Sequence, residues 1–194
     1  PVAVSTSSSS LERRLVRDLK RGDPRAFERL VHLHQDRVYG LCLRMMGNPQ
    51  EAEDVAQEVL IRLWRRGHEV SPGKIGSWLV RVTRNACIDV IRRRKDRGRI
   101  PIDDTAGAEL QETAPGPETL AHSSELGRRV LQALETLSEP GRSVVILREI
   151  QGLSYREIGE ALKMPVANVR VTLHRGRRRL RDELREVHDR VAAC

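Results

Sequence analysis

The sequence predicts an all-α protein of two small helical domains joined by a flexible acidic linker. Three observations favour this fold class. Apolar residues recur at helical spacing in both halves of the chain. Aromatic residues make up only 3% of the 194 residues, which disfavours strand-rich sandwiches and barrels. The net charge of +8 is divided into a basic, an acidic and a second basic block, so two domains and a tether are expected.

Four segments of different character divide the chain. Residues 1–10 are predicted to be a disordered leader that ends in a run of serines. Residues 11–95 and 126–194 are the predicted domains, with net charges of +8 and +5. Residues 96–125 carry a net charge of −5 and few large apolar side chains. Because this segment cannot bury enough apolar surface to offset the entropy of ordering, it is predicted to be the linker.

Helix starts and stops mark out the first domain as a bundle. Leucines at four-residue spacing predict a short helix over residues 11–22. Asp23 and Asn48, each followed by proline, are typical of helix starts, and Gly47 is typical of a helix end. A turn-rich stretch, residues 66–74, separates the third helix from a fourth long helix.

The third helix is predicted to be amphipathic, with an apolar stripe on one side and charged residues on the other. From the pattern alone, a charged face of this kind favours simple solvation. The residues of this face are Asp54, Gln57, Glu58, Ile61, Arg62 and Arg65.

The fourth helix is predicted to present a basic face that also exposes two large apolar side chains. Arginines neutralise phosphates, and a flat apolar group can stack on an unpaired base. The alternative is that Trp78 only packs against a neighbouring helix. The predicted face consists of Trp78, Arg81, Asn85, Ile88 and Arg92, with Arg84, Arg93, Arg94 and Lys95 beside or beyond it.

The second domain contains the pattern of a helix-turn-helix. Ser154 and Glu157 form a capping box that opens a short helix, and Pro165 follows a turn before a long basic helix. In this motif the second helix enters the major groove of DNA. The alternative is a helical hairpin with a solvated basic face. The outward side of the last helix is predicted to carry Asn168, Arg170, Val171, His174, Arg175, Arg177 and Arg178.

Composition and motifs exclude several classes of protein. No apolar run is long enough for a membrane span and no secretory segment opens the chain, so a cytoplasmic protein without membrane insertion is expected. Three scattered cysteines do not make a disulfide framework or a zinc cluster. His32 and His34 point about 200° apart on a helix and cannot share a metal ion. Because the sequence contains no recognisable catalytic motif, we expect that the protein binds no metal or cofactor and is not an enzyme.

Three motifs, in order, resemble those of sigma-70-type transcription initiation factors. Residues 51–64 (EAEDVAQEVLIRLW) resemble the segment that binds core polymerase. Residues 77–89 (SWLVRVTRNACID) resemble the reader of the −10 element. Residues 153–159 (LSYREIG) and 169–177 (VRVTLHRGR) resemble the helix-turn-helix that reads the −35 element. The chain has no middle domain between the two blocks, and in this it resembles the extracytoplasmic-function (ECF) subfamily.

The resemblance implies a role for each charged surface. Asp54, Gln57, Glu58, Arg62 and Arg65 would bind the clamp helices of the largest polymerase subunit, which replaces the solvated interpretation of the third helix. The melted −10 strand would be bound by Lys74, Trp78, Arg81, Arg84, Asn85, Ile88, Arg92 and Arg93. The −35 duplex would be bound by Arg156, Asn168, Arg170, Val171, His174, Arg175, Arg177 and Arg178.

The implied partners are core RNA polymerase, promoter DNA and an anti-sigma factor. The two DNA readers would contact elements about 17 base pairs apart, or roughly 58 Å at 3.4 Å per pair. An extended linker of 30 residues reaches about 100 Å and can span that distance. The main alternative is a stand-alone helix-turn-helix regulator that binds operator DNA without polymerase. A purely structural helical adaptor is a third interpretation, disfavoured by the arginine-rich last helix.

Overall fold

The computed structural model describes residues 6–97 and 125–192, and all regular secondary structure in these two ranges is helical. The helices of the first domain are α1 (Thr6–Lys20), α2 (Pro24–Met46), α3 (Pro49–Arg66), a 3₁₀ turn (Gly67–Glu69) and α4 (Ile75–Arg97). Those of the second domain are α5 (Glu125–Glu135), α6 (Glu139–Val145), a π-helical turn (Ile146–Ile150), α7 (Tyr155–Leu162) and α8 (Val166–Ala192). The predicted all-α fold with two helical domains is confirmed.

Local capping explains where α2 begins and ends and where α3 begins. The Asp23 side chain accepts a hydrogen bond from the backbone N–H of Arg25 at 2.9 Å, and Asn48 accepts one from Glu51 at 3.0 Å. Gly47 ends α2 in the left-handed conformation, with φ at 74°, which glycine adopts without a steric penalty. These boundaries agree with those predicted from the sequence.

Helix α2 is the centre of the first domain, because α1, α3 and α4 all pack against it. Leu30, Leu41 and Met45 of α2 are fully buried, together with Leu63 of α3 and Ile75 of α4. Burying each such side chain contributes about 1.5–3 kcal/mol relative to leaving it exposed. The bundle therefore holds α3 and α4 as fixed supports for the side chains on their outer faces.

The second domain is organised around the helix-turn-helix formed by α7 and α8. Ser154 and Glu157 form the predicted capping box, with hydrogen bonds of 3.2 and 2.8 Å between side chain and backbone. Lys163 takes the left-handed conformation at the turn, with φ at 52°. Val169 and Leu173 of α8 are buried, which anchors the inner side of this helix and leaves the other side in solvent.

The two domains are in direct contact, which the sequence did not predict. Helix α2 packs against α5 and the π-helical turn, and α4 packs against α7. The buried apolar side chains of both domains form one continuous cluster. Across the boundary, an Arg142 Nη donates to the backbone carbonyl of Met45 at 2.7 Å, and Arg37 Nε donates to Gln151 Oε1 at 2.5 Å.

Some predicted boundaries differ from the structure. Helix α1 begins at Thr6, so residues 6–10, predicted to be disordered, are helical. Serine costs only a few tenths of a kcal/mol in a helix, and each added residue extends an already nucleated helix by one hydrogen bond. Helix α4 extends two residues past the predicted domain end at 95. The linker prediction falls almost entirely on residues 98–124, outside the described ranges.

Candidate functional site

The outer side of α3 carries a row of charged residues that we call the α3 face: Asp54, Gln57, Glu58, Arg62 and Arg65. All of them are exposed except Arg62, which is half-buried. Arg62 Nη2 lies 2.5 Å from Glu58 Oε1, one helical turn away. This ion pair fixes the direction of two side chains but adds little stability, because both remain accessible to water.

Two large apolar side chains on α3 are also exposed; the sequence placed Ile61 on this face without giving it a binding role, and it did not place Trp64 there. Ile61 is 51% exposed in the middle of the α3 face, and Trp64 is 53% exposed at its edge. The Trp64 ring packs edge-on against Phe27, with 4.8 Å between ring centroids. Apolar side chains rimmed by charges are typical of protein-docking surfaces. The feature of the sequence that could have identified Trp64 was its position as an aromatic residue on an otherwise charged helix face.

The basic side of α4, here called the α4 face, comprises Lys74, Trp78, Arg81, Arg84, Asn85, Arg92 and Arg93. Lys74, Arg81, Asn85, Arg92 and Arg93 are exposed, whereas Trp78 and Arg84 are half-buried. The Trp78 indole packs against the core and also lines a cavity of about 460 Å³. Trp78 therefore packs against the core, as the alternative interpretation held, and its stacking on an unpaired base stays a prediction.

Ile88 was predicted to belong to this face, and that prediction is wrong. Its side chain is buried, with 3% exposure. Helix α4 is covered by α2, α3 and α7, so its buried surface is wider than the single apolar stripe that periodicity identified. Thr83 is also buried and satisfies its hydroxyl by donating to the carbonyl of Leu79 at 2.7 Å. Ile88 is a core residue.

Every residue predicted on the recognition helix is exposed, and their arrangement around α8 divides them into three groups. Val171, His174 and Arg178 lie opposite the buried side of the helix. Asn168 and Arg175 flank this row on one side, and Arg170 and Arg177 flank it on the other. Arg156 joins from α7 and pairs with Glu160 at 3.2 Å. We call these eight residues the α8 face.

Besides Arg156, the arginines Arg170 and Arg177 of the α8 face also make contacts within the second domain. Arg177 forms an ion pair of 2.6 Å with Glu149, which directs its guanidinium toward the π-helical turn. The Arg170 guanidinium lies 5.8 Å from the centroid of the Tyr155 ring, within the range of a cation–π contact. Arg175 and Arg178 also project from α8, so this helix presents a positively charged ridge.

The cysteines and histidines of the described residues do not form a metal centre or a reactive site. No group of three metal-binding side chains comes together in residues 6–97 and 125–192. Cys42 and Cys87 are buried, and their mutual hydrogen bond, followed by burial, raises the pKa of the Cys87 thiol far above its usual range. His34 is also buried, with 3% exposure. None of the helices in these ranges combines the length and apolarity needed to cross a membrane.

Comparison with known families assigns both domains. Sigma-70 region 2 matches residues 30–97, and Sigma-70 region 4 matches residues 127–180. The ECF RNA polymerase sigma factor SigW of Bacillus subtilis is 38% identical over 180 residues, which cover 89% of this chain and 96% of SigW. The chain belongs to the ECF sigma factors of the sigma-70 family. The match to region 2 falls in its first domain and the match to region 4 in its second, whereas the domain bounds 11–95 and 126–194 stay a prediction.

Further similarities agree with this assignment. SigE of Mycolicibacterium smegmatis is 39% identical over an alignment of 168 residues that covers 82% of this chain but only 62% of that relative. The structure of CnrH in complex with the cytosolic domain of CnrY has a TM-score of 0.69 at 23% identity, over 91% of this chain and 98% of CnrH. The sigma factor RpoE of Bartonella quintana, solved with the anti-sigma factor NepR, has a TM-score of 0.64 at 22% identity, over 82% and 96%. At these identities the structural likeness shows a shared fold.

Proposed function

We propose that this ECF sigma factor binds core RNA polymerase through the α3 face, captures the melted −10 strand on the α4 face, and reads the −35 duplex with the α8 face. In this proposal the protein acts in the cytoplasm as a dissociable, non-enzymatic specificity subunit. An anti-sigma factor controls its access to polymerase.

The observation that carries the proposal is the α3 face, because a protein that only binds operator DNA has no use for it. Exposed Ile61 and Trp64 supply apolar area, while Asp54, Gln57 and Glu58 supply charge and hydrogen bonds around them. Interfaces draw most of their binding energy from a few such anchors, with the polar rim fixing orientation. The resemblance of residues 51–64 to the core-binding segment indicates that the partner is the polymerase clamp.

The α4 face supports capture of single-stranded DNA. Lys74 and Arg81 line the same cavity as Trp78, so cations lie beside an aromatic surface. Extracting a base from the stack costs a few kcal/mol, and stacking on an aromatic ring returns about 1–3 kcal/mol per base. Arg92 and Arg93 continue the positive surface along α4 and would hold the phosphates.

The α8 face supports recognition of a duplex. Residues near the start of a recognition helix reach base edges, and later basic residues reach phosphates. Asn168, Arg170 and Val171 lie in the first two turns of α8, so they would read bases. Arg175 and Arg178 lie farther along and would contact the backbone. Arg156 on α7 would anchor the first helix of the motif on the adjacent strand.

A groove on region 4 supports the proposed anti-sigma partner. The groove has a volume of about 810 Å³, and Val145, Leu180 and Leu184 form its apolar lining. The charged residues of its lining are Arg177, Arg181, Arg185 and Glu149, so the groove is net positive and favours an amphipathic segment with acidic flanks. Of the proteins that share this fold, CnrH has been solved with the cytosolic domain of CnrY, and the sigma factor RpoE with the anti-sigma factor NepR.

Run-off transcription with core polymerase on a promoter library tests the proposal. The chain is expected to direct initiation at promoters that share a −10 and a −35 element. Core polymerase alone and a variant with Asp54→Ala and Glu58→Ala serve as the controls, and both should give little product. A chain that binds duplex operators tightly but never supports initiation would instead be a stand-alone regulator.

A further inference from the structure

The ring of Tyr155, the first residue of α7, is held firmly in the second domain. The Ser154 hydroxyl accepts a hydrogen bond from the backbone N–H of Glu157 at 3.2 Å, and the backbone N–H of Ser154 donates to the Glu157 carboxylate at 2.8 Å. The half-buried ring of Tyr155 packs against the apolar core. Because the capping box and the core together fix the start of α7, the ring is a stable platform.

Two guanidinium groups lie over this ring. The Cζ atom of Arg148, from the π-helical turn, lies 5.0 Å from the ring centroid, and Arg148 Nη1 donates to the backbone carbonyl of Leu153 at 2.8 Å. The Cζ atom of Arg170, an exposed residue of α8, lies 5.8 Å from the same centroid. Both distances are within the range of a cation–π contact. Tyr155 thus connects the two helices of the helix-turn-helix through Arg170.

Arg170 and Arg177 lie on the same flank of α8 but are held by different chemistry. Arg177 donates from Nε and Nη2 to Oε1 of Glu149, at 3.0 and 2.6 Å, so two of its N–H groups are already used. A cation–π contact uses the flat face of a guanidinium, whereas the N–H donors lie in its plane and point outward. The contact of Arg170 with Tyr155 therefore leaves these donors available for the acceptors of a base edge.

We infer that Tyr155 is a positioning residue for −35 recognition, because its ring holds the Arg170 guanidinium in the orientation from which Arg170 bonds to a base. This inference rests on the proposed role of the α8 face in reading the −35 duplex. A free arginine side chain samples many rotamers, and fixing it on DNA costs entropy. Holding the guanidinium before DNA arrives removes part of that cost. Since only the preferred base offers Arg170 a bidentate pair of acceptors, the gain falls mainly on the preferred sequence.

The test uses the full chain in complex with core polymerase and one promoter from the run-off library, with its −35 element randomised. Sequencing the bound fraction gives the relative affinity for each base at each randomised position. The variants are Arg170→Ala, Tyr155→Phe and Tyr155→Leu, which remove the guanidinium, the hydroxyl and the aromatic ring, respectively. Circular dichroism and urea denaturation show whether each variant is folded.

Arg170→Ala is expected to abolish the preference for the base that Arg170 contacts. Tyr155→Leu should weaken that same preference by about twofold to fivefold, the effect of losing an exposed cation–π contact, and should leave the preferences at the other positions unchanged. Tyr155→Phe should match the wild type, because phenylalanine keeps the ring. In an Arg170→Ala background Tyr155→Leu should have no further effect, since the two residues act through one contact.

Arg177→Ala is the matched control, because Arg177 pairs with Glu149 on the same flank of α8. In that background Tyr155→Leu should keep its full effect. If Tyr155→Leu is not folded, Tyr155→Phe made with a ring-fluorinated phenylalanine replaces it, since fluorine weakens the negative face of the ring and nearly preserves its size.

Three results would overturn the inference: an unchanged base preference in Tyr155→Leu or in the fluorinated variant, an equal loss of affinity on all sequences, or a loss in Tyr155→Phe as large as that in Tyr155→Leu. The last result would assign the effect to the hydroxyl. If the wild type selects no −35 sequence at all, the proposed role of the α8 face fails, and the inference fails with it.

Discussion

Gly159 lies on the inner side of α7, where the turn of the helix-turn-helix passes closest to the helix. A β-carbon added at this position would lie 2.8 Å from the backbone carbonyl oxygen of Met164. Ordinary contacts of this kind are no shorter than 3.4 Å, so the turn would have to move by about 0.6 Å. The obstacle is backbone, which cannot rotate away as a side chain can. The Met164 N–H also donates to the Gly159 carbonyl at 2.9 Å, which ties the two segments together.

Gly159→Ala is therefore expected to destabilise region 4 by about 1–2 kcal/mol. Overpacking a close contact costs about 1–3 kcal/mol. Replacing a helical glycine by alanine returns up to about 1 kcal/mol, which leaves the smaller net value. Because the displaced turn holds the start of α8, affinity for a −35 duplex should fall as well. Binding of single-stranded DNA to region 2 should not fall.

Urea denaturation and duplex-binding titrations measure these effects, with Gly152→Ala as the control. Gly152 has φ at 69°, but a β-carbon there meets no atom within 4 Å. That variant should lose about 1 kcal/mol through the left-handed backbone conformation, yet keep its affinity for the duplex. If Gly159→Ala matched the wild type in stability and in duplex affinity, the close approach would not control the motif.

Three further predictions concern binding and pH. The double change Asp54→Ala and Glu58→Ala should weaken core polymerase binding by about tenfold, with an unchanged melting curve; equal loss from Glu53→Ala on the same helix would contradict the assignment. Arg170→Ala should cost about 1–3 kcal/mol on the preferred −35 sequence, and equal losses on all duplexes would make it a phosphate contact. Burial, followed by the charge of Arg37, lowers the pKa of His34 to about 4. The unfolded chain therefore takes up its proton first, and stability should fall by up to about 3 kcal/mol as the pH drops from about 6.5 toward 4. Urea midpoints measured against pH should show a shallower slope for His34→Gln, and an identical slope would refute the role of His34.

The side chains of His34 in α2 and Glu12 in α1 lie next to each other. Its Nε2 lies 3.5 Å from Glu12 Oε1, within the range of an ion pair but beyond an effective hydrogen bond. Burial lowers the pKa of His34 to about 4 and raises that of Glu12, so burial disfavours the charged form of each group. At neutral pH His34 is therefore uncharged, and its contact with Glu12, which joins α1 to α2, is not an ion pair.

The helices and their ends were predictable because their determinants lie within a few residues of each other. The side chains of Asp23, Asn48 and Ser154 bond to backbone groups two or three residues away. The side of a helix that is buried was also predictable where one neighbour dominates, as for α3. It was not predictable for α4, where helices on several sides bury Ile88.

The exposure of Trp64 and the contact between the two regions could not be predicted from the sequence. Whether Trp64 is exposed depends on which neighbouring elements cover it, and the sequence pattern is equally compatible with a buried aromatic residue at that position. Arg84 and Glu139 are 55 residues apart, and Arg37 and Gln151 are 114 residues apart. Nothing in the local pattern around any of these residues indicates its partner.

The sequence by itself determined the all-α class, the division into two basic domains with an acidic segment between them, and the family, because periodicity, caps and short motifs act over one or two helical turns. The tertiary structure alone decided which cations meet a carboxylate of the other domain. Arg84 and Arg92 form ion pairs with Glu139 at 2.7 and 3.4 Å, and Lys74 and Arg81 line one cavity with Glu157 and Glu160. The physical reason is that charge pairing depends on distance in space, which only the packing of the two domains sets.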